Sequence, residues 1–406
     1  MVSARLIVPF LAFWRLTWAL VPDVPQINGP VPIIGGQHDI PTYLKSRTSE
    51  FVHPGLWHTH EDLERMRTNV LDGTDPWKTY FDKFSRDQYS LANYTMKGPH
   101  SVLSRGGVSN YSSFTEDVRA AWQNSLMWYI MRDDAHWERS TTILDAWGSN
   151  LTSIVGTDRS LMIGLEGDMF VNAAEIMRWG GNWTEAGAKW QGGSGFSVQL
   201  YWLFAGQSTN IGQTNYGMIS IKALLSFAVY LEDVTMWNYA INAWINHPCA
   251  GVPAMYHPDT GQSVEAGRDQ AHVQGGVGWS AYGAKVAQSQ GFDLFQIEDH
   301  LLLKAAEYTA KYNVGHNVTF DPSWYRCEAV LVNGPWQTIA EENRGVTSDR
   351  PIWDLLHYEY AVKRGLETAW VSQAREAEGF EGAYSNGPVR DEDPSWGGLI
   401  WAVEPQ

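Results

Sequence analysis

The sequence predicts an all-α fold, an α/α toroid built as an incomplete barrel of helical hairpins. Three observations predict it. Apolar residues recur at three- and four-residue spacing over about eight long stretches. Strand-like alternation is scarce. Short breaks of Gly, Asn and Asp separate the stretches, so neighbouring helices fold back on one another. A long irregular bundle is the other arrangement these features allow. No linker is long enough to divide the 406 residues, and no repeat of fixed period runs through them.

Residues 1–19 read as a secretory signal peptide. Arg5 supplies the positive start, Leu6 to Trp14 the apolar run, and Thr17-Trp18-Ala19 ends in a small residue suited to cleavage. Arg15 interrupts the run, which leaves a buried N-terminal strand as the alternative. The run is too short to span a bilayer. Residues 20–50, rich in Pro, Gly and polar groups, read as an extended arm, and 51–406 as one domain. Thr59 is the expected N-cap of a first helix with Glu61 and Asp62 in its first turn, where the helix dipole favours acids. Further helices are expected at 114–132, 136–153, 167–179, 216–232, 235–246, 266–289, 298–313 and 351–364. Short strands are expected at Tyr325–Val332 and Gly397–Val403, and an irregular tail at 376–406.

The composition is globular, 44% hydrophobic and 18% charged. A net charge of −16 argues against a nucleic-acid partner or an anionic membrane surface. An acidic ligand would have to be held by local Arg, His and Asn groups at short range, where screening matters less. The 21 Trp and 18 Tyr make a large aromatic core, and some of them suit a groove, since flat rings stack on the apolar faces of sugars. Five Asn-X-Ser/Thr sequons, at Asn93, Asn110, Asn150, Asn182 and Asn317, agree with secretion and N-glycosylation. Cys249 and Cys327 are the only cysteines, and form either one disulfide closing a long loop or two buried thiols. They have no metal-ligand spacing.

The most informative stretch is Glu265-Ala-Gly-Arg-Asp-Gln-Ala-His-Val-Gln274. On a helix, Arg268, His272, Gly275 and Trp279 share one face. An Arg and a His there, followed by Gly275, Gly276 and Gly278, would form one wall of an anion-binding cleft, the glycines leaving room for a ligand or a close helix. Alternatively, Arg268 with Asp269 or Glu265 simply ties helices together. Asn215 and Tyr216 stand at the start of an apolar helix, where backbone N–H groups favour an anion. There too Thr214 or Asn215 serves equally well as a plain cap. Ser104-Arg-Gly-Gly107 is a turn carrying one cation, Arg105. Glu307–Asn313 sets Tyr308 and Tyr312 one turn apart, a spacing that also suits core packing.

These segments together resemble the alginate lyase superfamily, and most closely its glucuronan lyase branch, polysaccharide lyase family 38. The similar stretches are His53–His58, Ala146-Trp147, Asp158-Arg-Ser-Leu161, Phe170–Arg178, the Asn215 helix, Glu265–Gln274, Gln288-Ser-Gln-Gly-Phe-Asp-Leu294 and Glu307–Asn313. The resemblance implies an α/α toroid with a long cleft, making 51–406 a catalytic domain. It also implies β-elimination at a 1,4-linked polyuronate, glucuronan first and alginate or polymannuronate next. Such a reaction neutralises the uronate carboxylate, removes the C5 proton and protonates the leaving O4, giving a 4,5-unsaturated end. By that resemblance the catalytic candidates are Asn215, Arg268, His272 and Tyr312. Arg105, Tyr216, Gln270 and Tyr308 are the substrate-binding candidates. Related enzymes carry a Tyr seven residues beyond the Arg, where Gly275 stands here. They also carry an Asn-His pair, whereas Asn215 is followed by Tyr216. The base is therefore His272 or a Tyr from elsewhere, Tyr312 or Tyr216. No cofactor or metal is expected, and the expected partner is an acidic polysaccharide. Two other functions share this scaffold. A glycoside hydrolase would use two of Asp158, Glu175, Glu265 and Asp269 across the scissile bond. A non-catalytic protein would bind polymer and create no new ends.

Overall fold

The computed structural model describes residues 40–186, 195–325, 327, 334–346, 350–381 and 393–404. The expected signal peptide and most of the arm lie outside the described residues. So does the strand expected at Tyr325–Val332, apart from Tyr325 and Cys327.

The main elements, in chain order, begin with helices α1 (His60–Asp72) and α2 (Trp77–Phe84). Strand β1 (Val102–Ser104), helices α3 (Ser112–Met131) and α4 (Asp134–Asn150), and strand β2 (Ser153–Val155) follow. Next come α5 (Arg159–Glu175), α6 (Thr214–Tyr230), α7 (Val234–Asn246), α8 (Gln270–Ser289) and α9 (Ile297–Asn313). Three shorter helices close the chain, α10 (Trp353–His357), α11 (Ala369–Glu378) and α12 (Gly397–Ile400). Thr59 caps α1 as expected. Its hydroxyl accepts from the Asp62 N–H at 3.2 Å and its own N–H donates to the Asp62 carboxylate at 3.1 Å, which satisfies two orphan donors reciprocally.

The long helices form two layers. In the inner layer α3 packs on α5, α5 on α6, and α6 on α8. Outside them α4 packs on α3, α7 on α6, and α9 on α8. The arc does not close into a barrel. Asp393 spans the two ends of the arc. Its carboxylate accepts from Trp279 Nε1 of α8 at 2.8 Å, and its carbonyl from the Arg119 guanidinium of α3 at 2.9 Å.

Helix α6 explains the order of the layers. Every one of its 17 residues is buried except Tyr216. A helix that is apolar all round finds a stable place only at the centre, wrapped by others. Gly164 of α5 permits the close approach of α6, since a Cβ there would collide with Ile219. The one buried ion pair between these helices, Lys222 to Asp168 at 2.7 Å, fixes their register.

Cys249 and Cys327 are joined in a disulfide with Cα atoms 5.8 Å apart and a sequence separation of 78. A bridge across so long a loop restricts the unfolded chain strongly. Cys249→Ser with Cys327→Ser is expected to lower the unfolding free energy by about 2–4 kcal/mol. An unchanged denaturation midpoint would show that the loop is held by packing alone.

Three expectations are corrected. Gly397–Val403 is not a strand; Gly397–Ile400 is a short helix whose residues are all buried. A short apolar run does not reveal its period, and here no sheet edge is available to receive it. The tail from 376 begins in helix, because α11 extends to Glu378. The helix expected from 266 starts at Gln270, with Asp269 as its cap. A two-stranded parallel sheet, Val102–Ser104 with Ser153–Val155, was not legible in the sequence because each strand has only three residues.

Candidate active site

The N-terminal ends of α6 and α8 meet the loops that follow β1 and β2. The small sheet sets two of the participants. The Arg105 N–H donates to the Val155 carbonyl at 3.2 Å, and the Asp158 N–H donates to the Arg105 carbonyl at 3.1 Å. Arg105 then lies with its guanidinium 4.7 Å from the Tyr111 ring centroid and 3.8 Å from Glu166. Glu166 in turn accepts from the Thr115 hydroxyl at 2.7 Å.

Tyr216 is the half-buried exception of the central helix, and it faces these loops. Its hydroxyl donates to Asp158 Oδ1 at 3.4 Å. Burial, and then the Asp158 carboxylate, hold the phenol above the ordinary tyrosine range. The charges of Arg105 and Arg268 pull it the other way. One phenol therefore feels two guanidinium groups from different parts of the chain.

The turn before α8 supplies the second guanidinium. Arg268 does not lie on the helix, as expected from spacing, but just ahead of it. Asp269 caps α8 by accepting from the His272 N–H at 2.9 Å, so the helix cannot start earlier. The chain reversal still brings Arg268 to His272. Arg268 Nη1 donates to Glu265 at 2.9 Å, and Nη2 to His272 Nε2 at 3.0 Å. Arginine has no acceptor, so His272 Nε2 is the lone-pair nitrogen and Nδ1 carries the hydrogen. That Nδ1–H donates to Asp269 Oδ2 at 2.6 Å. Burial opposes ionisation of Asp269, but the hydrogen bonds from the His272 ring and backbone outweigh it and hold the carboxyl below its usual range.

Glu265 is the hub. It is buried and accepts from the Asn215 side-chain amide at 2.7 and 2.8 Å, from the Asn215 backbone N–H at 3.2 Å, and from Arg268. Asn215 is therefore not a helix cap. Gln213 occupies the cap position and gives no side-chain bond, and Thr214 caps nothing either. The Asn215 amide oxygen is buried without a partner. The glycines of α8 make room for neighbouring side chains rather than a ligand: Gly275 for Trp279, Gly276 for Met255 and Tyr256, Gly278 for Ile352.

The structure thus brings together Arg105, Asn215, Tyr216, Arg268 and His272. The remaining candidates lie apart. Gln270 is buried, accepting from the Asn313 amide at 3.0 Å and donating to the Ala340 carbonyl at 3.1 Å, and so ties α8 to α9 and to the 340 segment. Tyr312 is buried beneath the Arg344 guanidinium, 3.9 Å from its ring centroid. Tyr308 donates to the Thr319 carbonyl at 2.7 Å and lines a different hollow. Glu166 was missed as a site residue, and Glu265 and Asp158 were considered only as hydrolase carboxylates or, for Glu265, as a tie to Arg268. Glu265 and Asp158 open two of the motif stretches, but nothing in one sequence says that they converge. Trp336 was missed too. It packs on Gly267, beside Arg268, where a Cβ would collide with it. Among the described residues no group of three or more His, Cys, Asp or Glu could hold a metal ion.

No protein-family model and no curated protein matches the chain. Solved structures do. An alginate lyase from Bacteroides ovatus superposes with a TM-score of 0.54 at 10% identity, covering 87% of this chain and 100% of that one. The chain has the fold of the alginate lyases. Alginate lyase A1-III from Sphingomonas species A1 gives 0.51 at 11% identity over 82% of this chain and 94% of the other. A histidine-to-alanine variant of alginate lyase A1-III complexed with a tetrasaccharide gives 0.53 at 11% identity, over 85% and 95%. At these identities the alginate lyase fold is shared while nearly all side chains differ. The function has to be argued from the site.

Proposed function

We propose that the protein is a polysaccharide lyase that cleaves a 1,4-linked polyuronate by β-elimination. The observation that carries this reading is Tyr216: the one residue of the central helix that is not fully buried, within electrostatic reach of both Arg105 and Arg268. Arg268 has five N–H hydrogens, and its bonds to Glu265 and His272 leave one on each terminal nitrogen. Its side chain is 23% exposed, so a uronate carboxylate can reach those hydrogens. Bound there, the carboxylate can accept the negative charge that develops when C5 loses its proton. The solved alginate lyase with a bound tetrasaccharide supports an acidic saccharide as ligand.

Tyr216 is the group we assign to proton transfer. Its phenolate takes the C5 proton, the C4–O4 bond breaks as the C4–C5 double bond forms, and the same hydroxyl returns the proton to O4. Asp158 aims the hydroxyl. His272 is not assigned this role, because its Nε2 is already taken by the Arg268 guanidinium and its Nδ1 by Asp269. A single group acting from one face suits a syn elimination. In glucuronate and mannuronate the C5 hydrogen and O4 lie on the same face, and in guluronate they lie on opposite faces. Glucuronan and polymannuronate are therefore the favoured substrates, with glucuronan first on the sequence resemblance.

The hydrolase alternative loses its carboxylates. Glu175 is buried against His53 at 2.7 Å, Glu265 is held by Asn215 and Arg268, and Asp269 by His272. Only Asp158 remains beside Tyr216. The deciding experiment incubates the protein with glucuronan, polymannuronate and polyguluronate and follows the ultraviolet absorbance of the conjugated uronate. A rise with the first or second is expected. New reducing ends without absorbance would instead show hydrolysis.

His272 acts through Arg268. His272→Ala is expected to lower kcat/KM about 10-fold, with most of the loss in KM, since a misplaced guanidinium still carries its charge. A loss as large as that of removing Tyr216 would make His272 the proton-transfer group.

We also propose that the protein is secreted. The disulfide suits an oxidising compartment, and Asn93, Asn150 and Asn182 are exposed acceptors, whereas Asn317, also exposed, lines a hollow on α9 and is not counted among them. Asn110 is the exception, half-buried with its amide closing a turn onto Ser104 and Val102. No helix among the described residues is long and apolar enough to cross a membrane.

A further inference from the structure

Helix α9 carries a second surface that shares no lining residue with the Tyr216 site. A hollow of about 710 Å³ opens on its outer side, lined by Lys304, Glu307, Tyr308, Lys311, Asn317 and Trp370 among others. Residues 304, 307, 308 and 311 follow i, i+3, i+4 and i+7 spacing, so they make one continuous face.

The hollow is built and held. Glu307 accepts from the backbone N–H groups of Trp370 and Val371 at 3.1 and 2.8 Å, which fixes the start of α11 and with it the half-buried Trp370 ring. The hydroxyl of Tyr308 pins the opposite wall through the Thr319 carbonyl. His316 packs at 4.6 Å from the Trp370 ring, and the Lys311 ammonium lies 5.2 Å from its centroid. The charge of Glu307 is directed into these backbone amides, the exposed Asp259 stands at the rim as a second carboxylate, and among the described residues Lys304 pairs with the highly exposed Asp299 at 3.2 Å, a weak surface contact.

We propose that this hollow is a second binding site, for an acidic 1,4-linked saccharide, separate from the site of cleavage. Trp370 supplies an aromatic platform for a sugar face. Lys304 and Lys311 stand seven residues apart, about 10.5 Å along the helix axis. That span is close to the two-residue repeat of an extended 1,4-linked chain, in which the carboxylates of alternate residues point to one side. Two lysines on one helix face therefore match two carboxylates of one strand, while Trp370 packs beneath it. A long polymer held here raises its own local concentration at the Tyr216 site, and a short oligomer gains nothing.

The choice of an acidic uronan rests on the proposed function, and the test separates the two. Binding of a uronate hexamer and of the neutral cellohexaose is measured by calorimetry on the full chain and on Lys304→Ala/Lys311→Ala and Trp370→Ala variants, all carrying Arg268→Ala to prevent turnover. The hexamer is expected to bind at two sites, the cleft and this hollow, to lose the second in both variants, and to exceed cellohexaose. Equal binding of the hexamer with and without the lysines, or equal binding of cellohexaose, would overturn the proposal. With Arg268 intact, the lysine variant is expected to show KM for polymer raised about 10-fold, with kcat and the turnover of a tetramer unchanged. An unchanged polymer KM would also overturn it. If the intact chain cleaves no uronan but the hexamer still binds through Lys304 and Lys311, the lyase reading fails and this site stands.

Discussion

Tyr216→Phe is expected to reduce kcat by about 10²–10⁴-fold, with little change in KM, because it removes the proton-transfer group and leaves the ring in place. The fold should tolerate it, since the hydroxyl has one long bond to Asp158 and the ring sits at the edge of the buried helix. The pH dependence is a sharper form of the same prediction. Activity follows the phenolate fraction, so kcat/KM rises with pH until the phenol has titrated. Burial and Asp158 raise that point above the ordinary tyrosine value of about 10. The protein should therefore work best at alkaline pH, with no plateau reached near neutrality. Asp158→Asn removes a negative charge that disfavours the phenolate, and should move the rising limb to lower pH. Arg105→Ala removes a positive charge that favours it, and should move the limb higher. Near-normal turnover of Tyr216→Phe would remove Tyr216 from the chemistry and return His272 to consideration.

Arg268→Ala is expected to lower kcat/KM by about 10²–10³-fold, as for loss of a donor aimed at developing charge. Here the change should appear in both kcat and KM, because the guanidinium binds the carboxylate in the ground state and more strongly in the transition state. Arg268→Lys should recover only part of it. An ammonium is a point charge that cannot hold Glu265, His272 and a substrate carboxylate in one plane. The formal charges make this stringent. Arg105, Tyr216, Arg268 and His272 are bonded or paired to four carboxylates, Glu166, Asp158, Glu265 and Asp269, in a chain of net charge −16. The field of the protein does not draw an anionic polymer in. The outward hydrogens of Arg268 have to do so at contact range. If Arg268→Ala cleaved polyuronate as well as the intact chain, the assignment of the carboxylate site would fall.

The sequence by itself determined the helices and where most of them lie. The 3.6-residue apolar period of α3 to α9, the Thr59 cap and the short breaks all act locally, so one chain displays them. It also marked Asn215, Tyr216, Arg268 and His272 as residues of interest. It placed Tyr312 among the catalytic candidates and Tyr216 and Tyr308 among the binding ones, with Tyr312 and Tyr216 both open as the base, because tyrosines at helical spacing look alike until a fold separates them. Only the tertiary structure decided that Tyr216 meets Asp158 while Tyr312 lies under Arg344 and Tyr308 in another hollow. It also decided that Cys249 meets Cys327, that Glu265 binds Asn215 and Arg268, and that two three-residue strands carry Arg105 to Asp158. The disulfide, the Glu265–Asn215 bonds and the strand pairing each join partners 50 or more residues apart, and Arg268 reaches Glu265 only through the turn that precedes α8. Spacing along a chain fixes which residues share a helix face, but the meeting of two faces is fixed by packing of the whole core, and no local pattern records it.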